Sequence, residues 1–363
     1  MGTHHRFICG DALTALRTLG DESVHCVVTS PPYFGLRDYG VDGQLGHGGT
    51  LDEYLDAMVE VFREVRRVLR RDGTLWLNLG DCYASGGRSS HADGRWKYGT
   101  ARAVGRRPPV PVGLKPKDLI GVPWRVAFAL QADGWWLRSD ICWNKLNAIP
   151  ESVIDRPTRS YEYIFLLSKS VRYWYDWAVA RDPAVAVWNA IDMKRRAGSK
   201  MARLHDSGAN IRVGAATRHL DMARYTRNWR NVWTVSTVPS RLPHFASFPP
   251  ALVTKPLAAG CPAIVCSSCG SASCLCPARS TVPGVVLDPF GGSGTVSMVA
   301  KKMGRSSVYI DLNPEYVRMA VDRCAPWNQM TLDGEDTYEV SGLSDYVLSA
   351  ANSPVPASGS NLR

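Results

Sequence analysis

Short apolar runs alternate along this chain with stretches in which apolar residues recur every three or four positions. The runs are typical of buried strands, and the second pattern is typical of amphipathic helices. The clearest helix follows Thr50, which has capping-box spacing with Glu53, and it ends before Asp72 and Gly73. The pattern predicts strands at 6–9, 24–29, 74–79, 137–143, 161–168, 285–287 and 307–310, and helices at 13–19, 55–69, 123–132 and 296–303.

Strands that alternate with helices favour an α/β fold in which a mostly parallel sheet is covered on both faces. In such sheets, ligands bind beyond the carboxyl ends of the strands, at the point where strand order reverses. Several polar residues directly follow predicted strands, so we expect them to converge on one crevice despite their separation in sequence. These residues are Asp11, Ser30, Asp81, Asp288 and Asp311.

Two long segments interrupt the α/β alternation. Residues 85–117 are rich in Gly, Arg and Pro without an apolar period, which predicts a long loop. Residues 172–240 interleave Arg, Trp, Asn and Tyr, and we interpret them as an inserted module. The predicted organisation is 1–171 as one half of the main domain, 172–240 as the insertion, 241–330 as the second half with a cysteine-rich insertion at 261–276, and 331–363 as a C-terminal tail.

The net charge of +10 is concentrated in the same two regions. Residues 86–117 carry eight Lys or Arg against one Asp, and residues 172–230 carry twelve against five Asp. Concentrated positive charge suits a polyanion such as DNA, because neutralised phosphates release counterions; a solubilising surface would have the same composition. No apolar run approaches the roughly 20 residues that cross a bilayer, so we expect a cytoplasmic protein without membrane contact.

A glycine-rich segment, DPFGGSGT, lies between a predicted strand and a predicted helix. Glycine permits a tight turn with positive φ and lets a ligand approach the backbone, and the following helix favours an anionic group at its amino end. The segment lacks the Gly-Lys-Ser/Thr ending of a P-loop, which argues against nucleoside triphosphates. Asp311 ends the next strand about twenty residues later, where α/β nucleoside sites place an acid for two ribose hydroxyls. The candidate cofactor residues of the segment are Asp288, Phe290, Gly291, Gly292, Ser293, Gly294 and Thr295.

The block TSPPY ends the second predicted strand and contains the candidate catalytic residues Ser30, Pro31, Pro32 and Tyr33. Two prolines fix two φ angles, favour extended backbone before them and offer no N–H. The block therefore presents hydrogen-bond acceptors to a group that brings two donors, such as an exocyclic NH₂. Accepting from that amine would draw its lone pair out of ring conjugation, so catalysis would come from positioning and electrostatics. Tyr33 offers a ring face on which a base extracted from a duplex can stack.

With TSPPY placed before DPFGGSGT, the chain resembles the permuted β class of amino-methylating DNA methyltransferases, which act on N4 of cytosine or N6 of adenine. Other matches to this family are Trp143, Lys145, Arg156, Glu162 and Phe165. The resemblance implies a Rossmann-like, circularly permuted fold with a mostly parallel seven-stranded sheet and an inserted target-recognition module.

The resemblance also implies where S-adenosylmethionine binds. It assigns the glycine segment to the methionine end of this cofactor, Asp311 to the ribose and Asp11 to the adenine. Phe248 lies in the segment that closes over the methionine in this family. A role as helix N-cap explains Asp11 equally well.

Ser30 bears on the choice of base, because family members with Ser at this position mostly modify cytosine N4, whereas Asp or Asn is usual for adenine N6. The resemblance therefore implies a site-specific enzyme that methylates N4 of a flipped cytosine in double-stranded DNA, with adenine N6 as the alternative. A cognate restriction enzyme and a second copy of the chain are further partners that this class admits. A protein of another class, a non-catalytic zinc-containing DNA-binding protein on a methyltransferase scaffold, would share the basic segments without needing Ser30 or Asp311.

Ten cysteines in a reducing compartment argue against a disulfide framework. Four of them form the pattern Cys-x₂-Cys-x₄-Cys-x-Cys, which supplies the number of thiolates that a structural Zn²⁺ needs. The middle spacing is shorter than most zinc knuckles use, and reduced cysteines on a surface loop are the alternative. The candidate metal ligands are Cys266, Cys269, Cys274 and Cys276.

Candidate DNA contacts lie in the two basic segments. The interleaved basic and aromatic residues of 172–240 suit phosphate contacts and base readout, and their position matches the family's target-recognition region. Each Trp of this region can instead pack within the insertion. The candidate DNA-binding residues are Arg88, Arg106, Arg107, Arg195, Arg196, Arg227 and Arg230.

Overall fold

The computed structural model describes residues 2–36, 41, 43–46, 49–84, 109–183, 226–237, 249–274, 276–277, 280–325 and 336–343. The strands are β1 (His4–Cys9), β2 (Val24–Thr29), β3 (Leu69–Leu79), β4 (Trp136–Asn144), β5 (Tyr161–Ser168), β6 (Arg181–Pro183), β7 (Thr226–Asn228), β8 (Val232–Thr234), β9 (Ile264–Cys266), β10 (Thr281–Pro283), β11 (Val285–Asp288), β12 (Ser306–Asp311) and β13 (Thr337–Ser341). The helices are α1 (Ala12–Arg17), α2 (Leu51–Val68), α3 (Val122–Ala132), α4 (Pro250–Gly260), α5 (Thr295–Lys302) and α6 (Pro314–Cys324).

Within the described ranges, nine strands form one sheet in the order β13-β1-β12-β11-β2-β3-β5-β4-β8. Neighbouring strands are parallel except at β5, which is antiparallel to both β3 and β4. The mostly parallel α/β architecture is thus confirmed, but the predicted number of seven strands is wrong. Two short edge strands extend the sheet, since β13 pairs with β1 and β8 pairs with β4. Both are partly exposed and lack the continuous apolar run by which buried strands are recognised.

Helices cover both faces of the sheet. On one face, α1, α2 and α3 pack around a core that includes Leu16, Met58 and Leu77. On the other face, α4 and α5 pack around Trp76 and Leu257, and α6 covers β1 and β12 beside α5. Successive residues of a strand point to opposite faces, which is why Trp76 and Leu77 belong to different cores. Burial of each such side chain contributes on the order of 1.5–3 kcal/mol.

The capping box predicted ahead of α2 is confirmed. The Thr50 side chain accepts a hydrogen bond from the Glu53 N–H at 3.2 Å, and the Thr50 N–H donates to the Glu53 carboxylate at 2.7 Å. Although α2 has 18 residues, its polar face is exposed, and no helix of the described ranges is long and apolar enough to cross a bilayer.

Segments from the two ends of the chain meet at the centre of the sheet. Strand β11 pairs in parallel with β2 through Val286–Cys26 and Leu287–Val27, and with β12 on its other side. The carboxyl ends of β1, β12, β11 and β2 therefore lie side by side. This arrangement brings the TSPPY block and the glycine segment to the same edge of the sheet, where α/β folds bind their ligands.

The described parts of the predicted insertion form a small antiparallel pair, β6 with β7, and the edge strand β8. Trp229 packs edge to face against Trp233, whose ring stacks 6.1 Å from that of Trp76. Lys255 Nζ lies 4.8 Å from the Trp229 ring. Trp229 therefore packs against the core. This agrees with the alternative interpretation, in which the Trp residues of this region pack inside the protein rather than contact DNA.

Replacing Thr50 by Ala should lower the free energy of unfolding by about 1 kcal/mol, because α2 loses the acceptor for its Glu53 amide. The matched control is Asp56→Ala, which changes an exposed residue of the same helix away from its amino end and should shift stability by less than about 0.5 kcal/mol. Urea unfolding followed by circular dichroism measures both. Equal stability of the two variants would contradict the role of the capping box.

Candidate active site

A cavity that is open to solvent lies at the carboxyl ends of β1, β12, β11 and β2. Both the TSPPY block and the glycine segment line it. The two segments are also tied directly, because Thr29 Oγ1 donates to Asp288 Oδ1 at 2.7 Å across 259 positions of sequence. The predicted site residues that line the cavity are Asp11, Ser30, Pro31, Pro32, Tyr33, Asp288, Phe290, Gly291, Gly292, Ser293, Thr295 and Asp311.

Two residues expected at this crevice do not line it. Gly294 has a φ of 75° at the start of α5, and a Cβ there would lie 2.6 Å from the Cβ of Ala320. Its role is to let α5 and α6 approach closely. Asp81 instead accepts hydrogen bonds from the N–H groups of Gly121 and Val122 and so caps the start of α3.

Tyr309 explains why the loop needs glycine at its centre. A Cβ on Gly291 would lie 2.1 Å from Tyr309 Cε2, far inside van der Waals contact. The Tyr309 hydroxyl donates to the Gly292 carbonyl at 2.6 Å. Gly292 has a φ of 50°, and its N–H donates to Asp311 Oδ2 at 2.8 Å. The buried Tyr309 ring therefore holds the loop, and the loop in turn orients the Asp311 carboxylate.

Two carboxyl groups of the cavity have raised pKa values. Asp288 accepts from Thr29 and from the Phe290 N–H, yet burial raises its pKa to about 7. Burial likewise raises the pKa of Asp311 to about 6, although it accepts the Gly292 N–H. In both cases loss of water around the charge outweighs the hydrogen bonds that favour the ionised form.

The lining of the cavity is acidic, in contrast to the chain as a whole. Asp11, Asp288 and Asp311 line it, and none of the described Lys, Arg or His residues does. Such a lining attracts a cation and repels phosphate groups. It agrees with the expectation that nucleoside triphosphates do not bind here.

A hydrogen-bond network lies behind the TSPPY block. The Tyr33 hydroxyl is 2.8 Å from Glu162 Oε2 and 2.9 Å from Asn78 Oδ1, and Lys145 Nζ forms an ion pair with Glu162. Ser30 Oγ is 3.2 Å from the Tyr33 hydroxyl and 3.3 Å from Asn78 Oδ1. The two acceptors of the Ser30 proton thus lie together, which leaves the lone pairs of Ser30 Oγ for a donor in the cavity.

Asn78 is a site residue that the sequence reasoning missed. It follows Leu77, which pairs with Thr29, so its side chain lies beside Ser30. Its amide nitrogen donates to the Tyr163 carbonyl at 3.0 Å, which fixes the amide oxygen toward Ser30. The sequence feature that could have identified it is a single polar residue at the otherwise apolar end of a strand.

Two expectations about the block and its surroundings are refined. The Pro32 carbonyl accepts a hydrogen bond from the Tyr54 hydroxyl at 2.9 Å, so this predicted acceptor already has a donor within the protein. Asp11 is the N-cap of α1, accepting from the Thr14 N–H at 2.8 Å, and it also lines the cavity. The N-cap role and a position at the site therefore hold together for Asp11.

Of the candidate DNA-binding residues, the structure describes two. Arg227 is half-buried in β7, and Arg230 is exposed between β7 and β8. The predicted cofactor residue Phe248 lies outside the described residues. So do the other candidate DNA-binding residues, which are Arg88, Arg106, Arg107, Arg195 and Arg196.

The four candidate metal ligands converge, which their spacing alone did not establish. The sulfur atoms of Cys266, Cys269, Cys274 and Cys276 all lie within 4.8 Å of one another. Hydrogen bonds from backbone N–H groups lower the pKa of Cys266 to about 6, whereas hydrogen bonding to the other thiols raises the pKa of Cys276 to about 12. The cluster lies on the β9–β10 hairpin, away from the cavity.

The fold is of the Rossmann type, and α/β enzymes of this type bind nucleoside-containing cofactors at the position of the cavity. The DNA methylase family N6_N4_Mtase matches residues 24–322 of the chain. The chain belongs to this family: it is a DNA methyltransferase, and its cofactor is S-adenosylmethionine.

Individual relatives match over most of their length. Type II methyltransferase M.XycI of Xanthomonas campestris pv. cyanopsidis is 48% identical over 315 residues, 86% of this chain and 85% of that protein. Type II methyltransferase M.Cfr9I of Citrobacter freundii is 46% identical over 329 residues, 90% of this chain and 87% of that protein. Among solved structures, the cytosine-N4-specific PvuII DNA methyltransferase shares the fold, with a TM-score of 0.54 and 18% identity over 91% of this chain and 89% of that one.

Replacing Gly291 by Ala should lower stability by about 1–3 kcal/mol, because the added methyl group meets the Tyr309 ring and the loop must move. Gly20→Ala is the matched control, since a Cβ there meets nothing within 4 Å. Thermal unfolding of the two variants beside the parent chain gives the comparison. A Gly291→Ala protein as stable as Gly20→Ala would show that the ring does not hold the loop.

Proposed function

We propose that this protein methylates the exocyclic N4 amine of a flipped cytosine in double-stranded DNA, as a permuted β-class enzyme with an SPPY-type catalytic block. The observation that carries the proposal is the shared cavity, which Ser30 and the Asp288 loop line from opposite ends of the chain. An amine held at Ser30 and a methyl donor held by the loop would lie in the same cavity. Bringing two reactants together in this way is a main source of rate enhancement.

The acidic lining fits the cofactor. When bound, S-adenosylmethionine supplies a methyl group on a positively charged sulfur, which keeps the bonding electron pair when an amine takes the methyl group. Asp288 would hold the ammonium group at the methionine end, and Asp311 would hold the ribose hydroxyls. Asp11 would lie near the adenine, and Phe248 would close over the methionine. A cavity without described basic residues suits these positive charges.

Ser30 would accept a hydrogen bond from the amine of the base. Because Tyr33 and Asn78 lie together on the side that takes the Ser30 proton, the serine oxygen would act as an acceptor toward the cavity. The accepted bond would raise the electron density on the amine nitrogen, and the Tyr33 ring would support the base by stacking. The methylated amine would then release one proton to restore neutrality.

Ser30 also supports cytosine N4 as the target, since members of the family with Ser here mostly modify that position. Adenine N6 is the second candidate within the family. The non-catalytic alternative finds less support, because Ser30, Tyr33, Gly291 and Asp311 all line the same cavity. A protein that only bound DNA would not need this convergence.

The Type II names of M.XycI and M.Cfr9I extend the proposal to biological context. A methyltransferase of this kind would protect its recognition sequence from a restriction endonuclease that reads the same bases. The basic segments would provide the phosphate contacts, with Arg227 and Arg230 among them.

Nucleoside analysis of DNA treated with the purified protein and S-adenosylmethionine should reveal N4-methylcytosine. Ser30→Ala should lower the methylation rate by on the order of 100-fold, as expected when one pre-organised polar group is lost, while cofactor affinity stays within about twofold. Ser23→Ala, which removes an exposed hydroxyl before the amino end of β2, should leave both unchanged. N6-methyladenine as the sole product would overturn the cytosine assignment, and an unchanged rate in Ser30→Ala would overturn the role of the serine.

Cofactor affinity should increase roughly tenfold between pH 5.5 and 7, because Asp288 and Asp311 lose protons in this window. Ionised Asp288 attracts the ammonium group, and ionised Asp311 can accept hydrogen bonds from both ribose hydroxyls. The folding stability of the protein without cofactor should change with pH in the opposite direction. Since burial raises both pKa values, the folded chain holds more protons than the unfolded chain at mildly acidic pH, so stability decreases as pH rises through the same window. Calorimetric titration at several pH values tests the first statement. Asp288→Asn should weaken binding and flatten the pH profile, and an affinity independent of pH in the parent chain would contradict the assignment.

A further inference from the structure

The cysteine cluster has the geometry of a ligand set for a tetrahedral metal ion. Its four sulfur atoms lie within 4.8 Å of one another. With Zn–S bonds of about 2.3 Å, a regular tetrahedron separates sulfur atoms by about 3.8 Å, so small side-chain rotations would close the set around an ion. Cys269 and Cys274 are exposed, which gives an ion access from solvent.

The backbone that follows the first ligand, Cys266, folds back on itself. The Gly270 N–H donates to the Cys266 carbonyl at 2.8 Å, and a φ of 67° at Gly270 turns the chain immediately after the second ligand. The Cys266 N–H in turn donates to the Ser271 carbonyl at 2.9 Å, which closes a compact turn.

The hairpin that carries the cluster is short, and its strand pairing alone would not hold it. Strands β9 and β10 form three residue pairs, from Thr281–Cys266 to Pro283–Ile264. Two of its large apolar side chains are exposed to solvent, Ile264 at 57% and Val282 at 42%. An isolated hairpin of this size is at best marginally stable in water, and small modules without a core are commonly held by a metal or by disulfides.

The hairpin docks at the amino ends of the central strands. Arg70, near the start of β3, donates to the Cys269 carbonyl at 3.0 Å. The His25 ring, near the start of β2, is 3.0 Å from the Gly270 carbonyl through Nε2 and accepts the Val285 N–H at 3.0 Å through Nδ1. His25 thus joins the cysteine turn directly to the first residue of β11.

We propose that Cys266, Cys269, Cys274 and Cys276 bind a structural zinc ion that fixes the β9–β10 hairpin to the sheet and so sets the start of β11. Four protein ligands leave no open coordination position, which is the property of a structural site. The cavity lies at the carboxyl end of β11, and none of the four cysteines lines it, so the ion takes no part in methyl transfer. The Arg70 guanidinium, which contacts the cluster turn, would offset part of the negative charge of four thiolates around Zn²⁺.

Metal analysis of protein purified without chelators tests the site. The parent chain should contain about one equivalent of zinc per chain, and cobalt exchanged into it should give the absorption bands of a tetrahedral thiolate complex. Cys269→Ser and Cys274→Ser should each lose the metal. Cys142→Ser, a half-buried cysteine of β4, is the matched control and should keep it. A parent chain without zinc even after reconstitution, full zinc in both cluster variants, or disulfides among the four cysteines would each overturn the proposal.

The structural role has its own test, which does not depend on methyltransferase activity. Removing the metal should speed amide hydrogen exchange in the hairpin and in β11, while α2, which packs with α1 and α3, should exchange at its previous rate. It should also lower the melting temperature of the parent chain and of Cys142→Ser but leave that of Cys269→Ser unchanged. Unchanged exchange in β11 after metal removal would show that the ion does not set this strand.

Discussion

The pairing of β2 with β11 is the constraint on which the rest of the structure depends. Only two residue pairs define it, Val286–Cys26 and Leu287–Val27, yet it joins segments from opposite ends of the chain. Burial of these side chains and the pairing of β11 with β12 hold the seam, and the Thr29–Asp288 hydrogen bond fixes its register at the carboxyl end. A one-residue slip would turn Leu287 to the wrong face and carry Asp288 away from Thr29. The cavity exists because this register is maintained.

The distribution of charge separates two kinds of ligand. The chain is basic overall, but the described lining of the cavity contains three Asp residues and no basic one. Polyanions are therefore attracted to the protein without being attracted into the cofactor space, while a cationic cofactor is favoured there. Burial makes ionised Asp288 and Asp311 costly when the cavity is empty, so protonation lowers that cost and a bound cation would restore the charge. Binding and ionisation are coupled for this reason.

The sequence predicted those features that depend on local pattern. Capping-box spacing located α2, apolar runs located the central strands, and strand ends identified most of the cavity lining. Features that depend on neighbours in the sheet were not predictable in this way. Asn78 lies beside Ser30 and Tyr33 because β3 lies between β2 and β5. Gly294 permits the close packing of α5 and α6 because Ala320 lies opposite it. The edge strands β8 and β13 form only because the sheet offers them a partner.

The network behind Ser30 gives a physical reason for serine at this position. Lys145 keeps Glu162 in an ion pair, and Glu162 competes with Asn78 for the single proton of the Tyr33 hydroxyl. A carboxylate in place of Ser30 would face the Asn78 oxygen without a proton to give, and it would compete with Glu162 for Tyr33. Serine instead donates into the network and keeps acceptor capacity toward the cavity. The identity of residue 30 is therefore linked to Asn78 and Glu162, so that exchanging serine for an acid would require a new donor beside it.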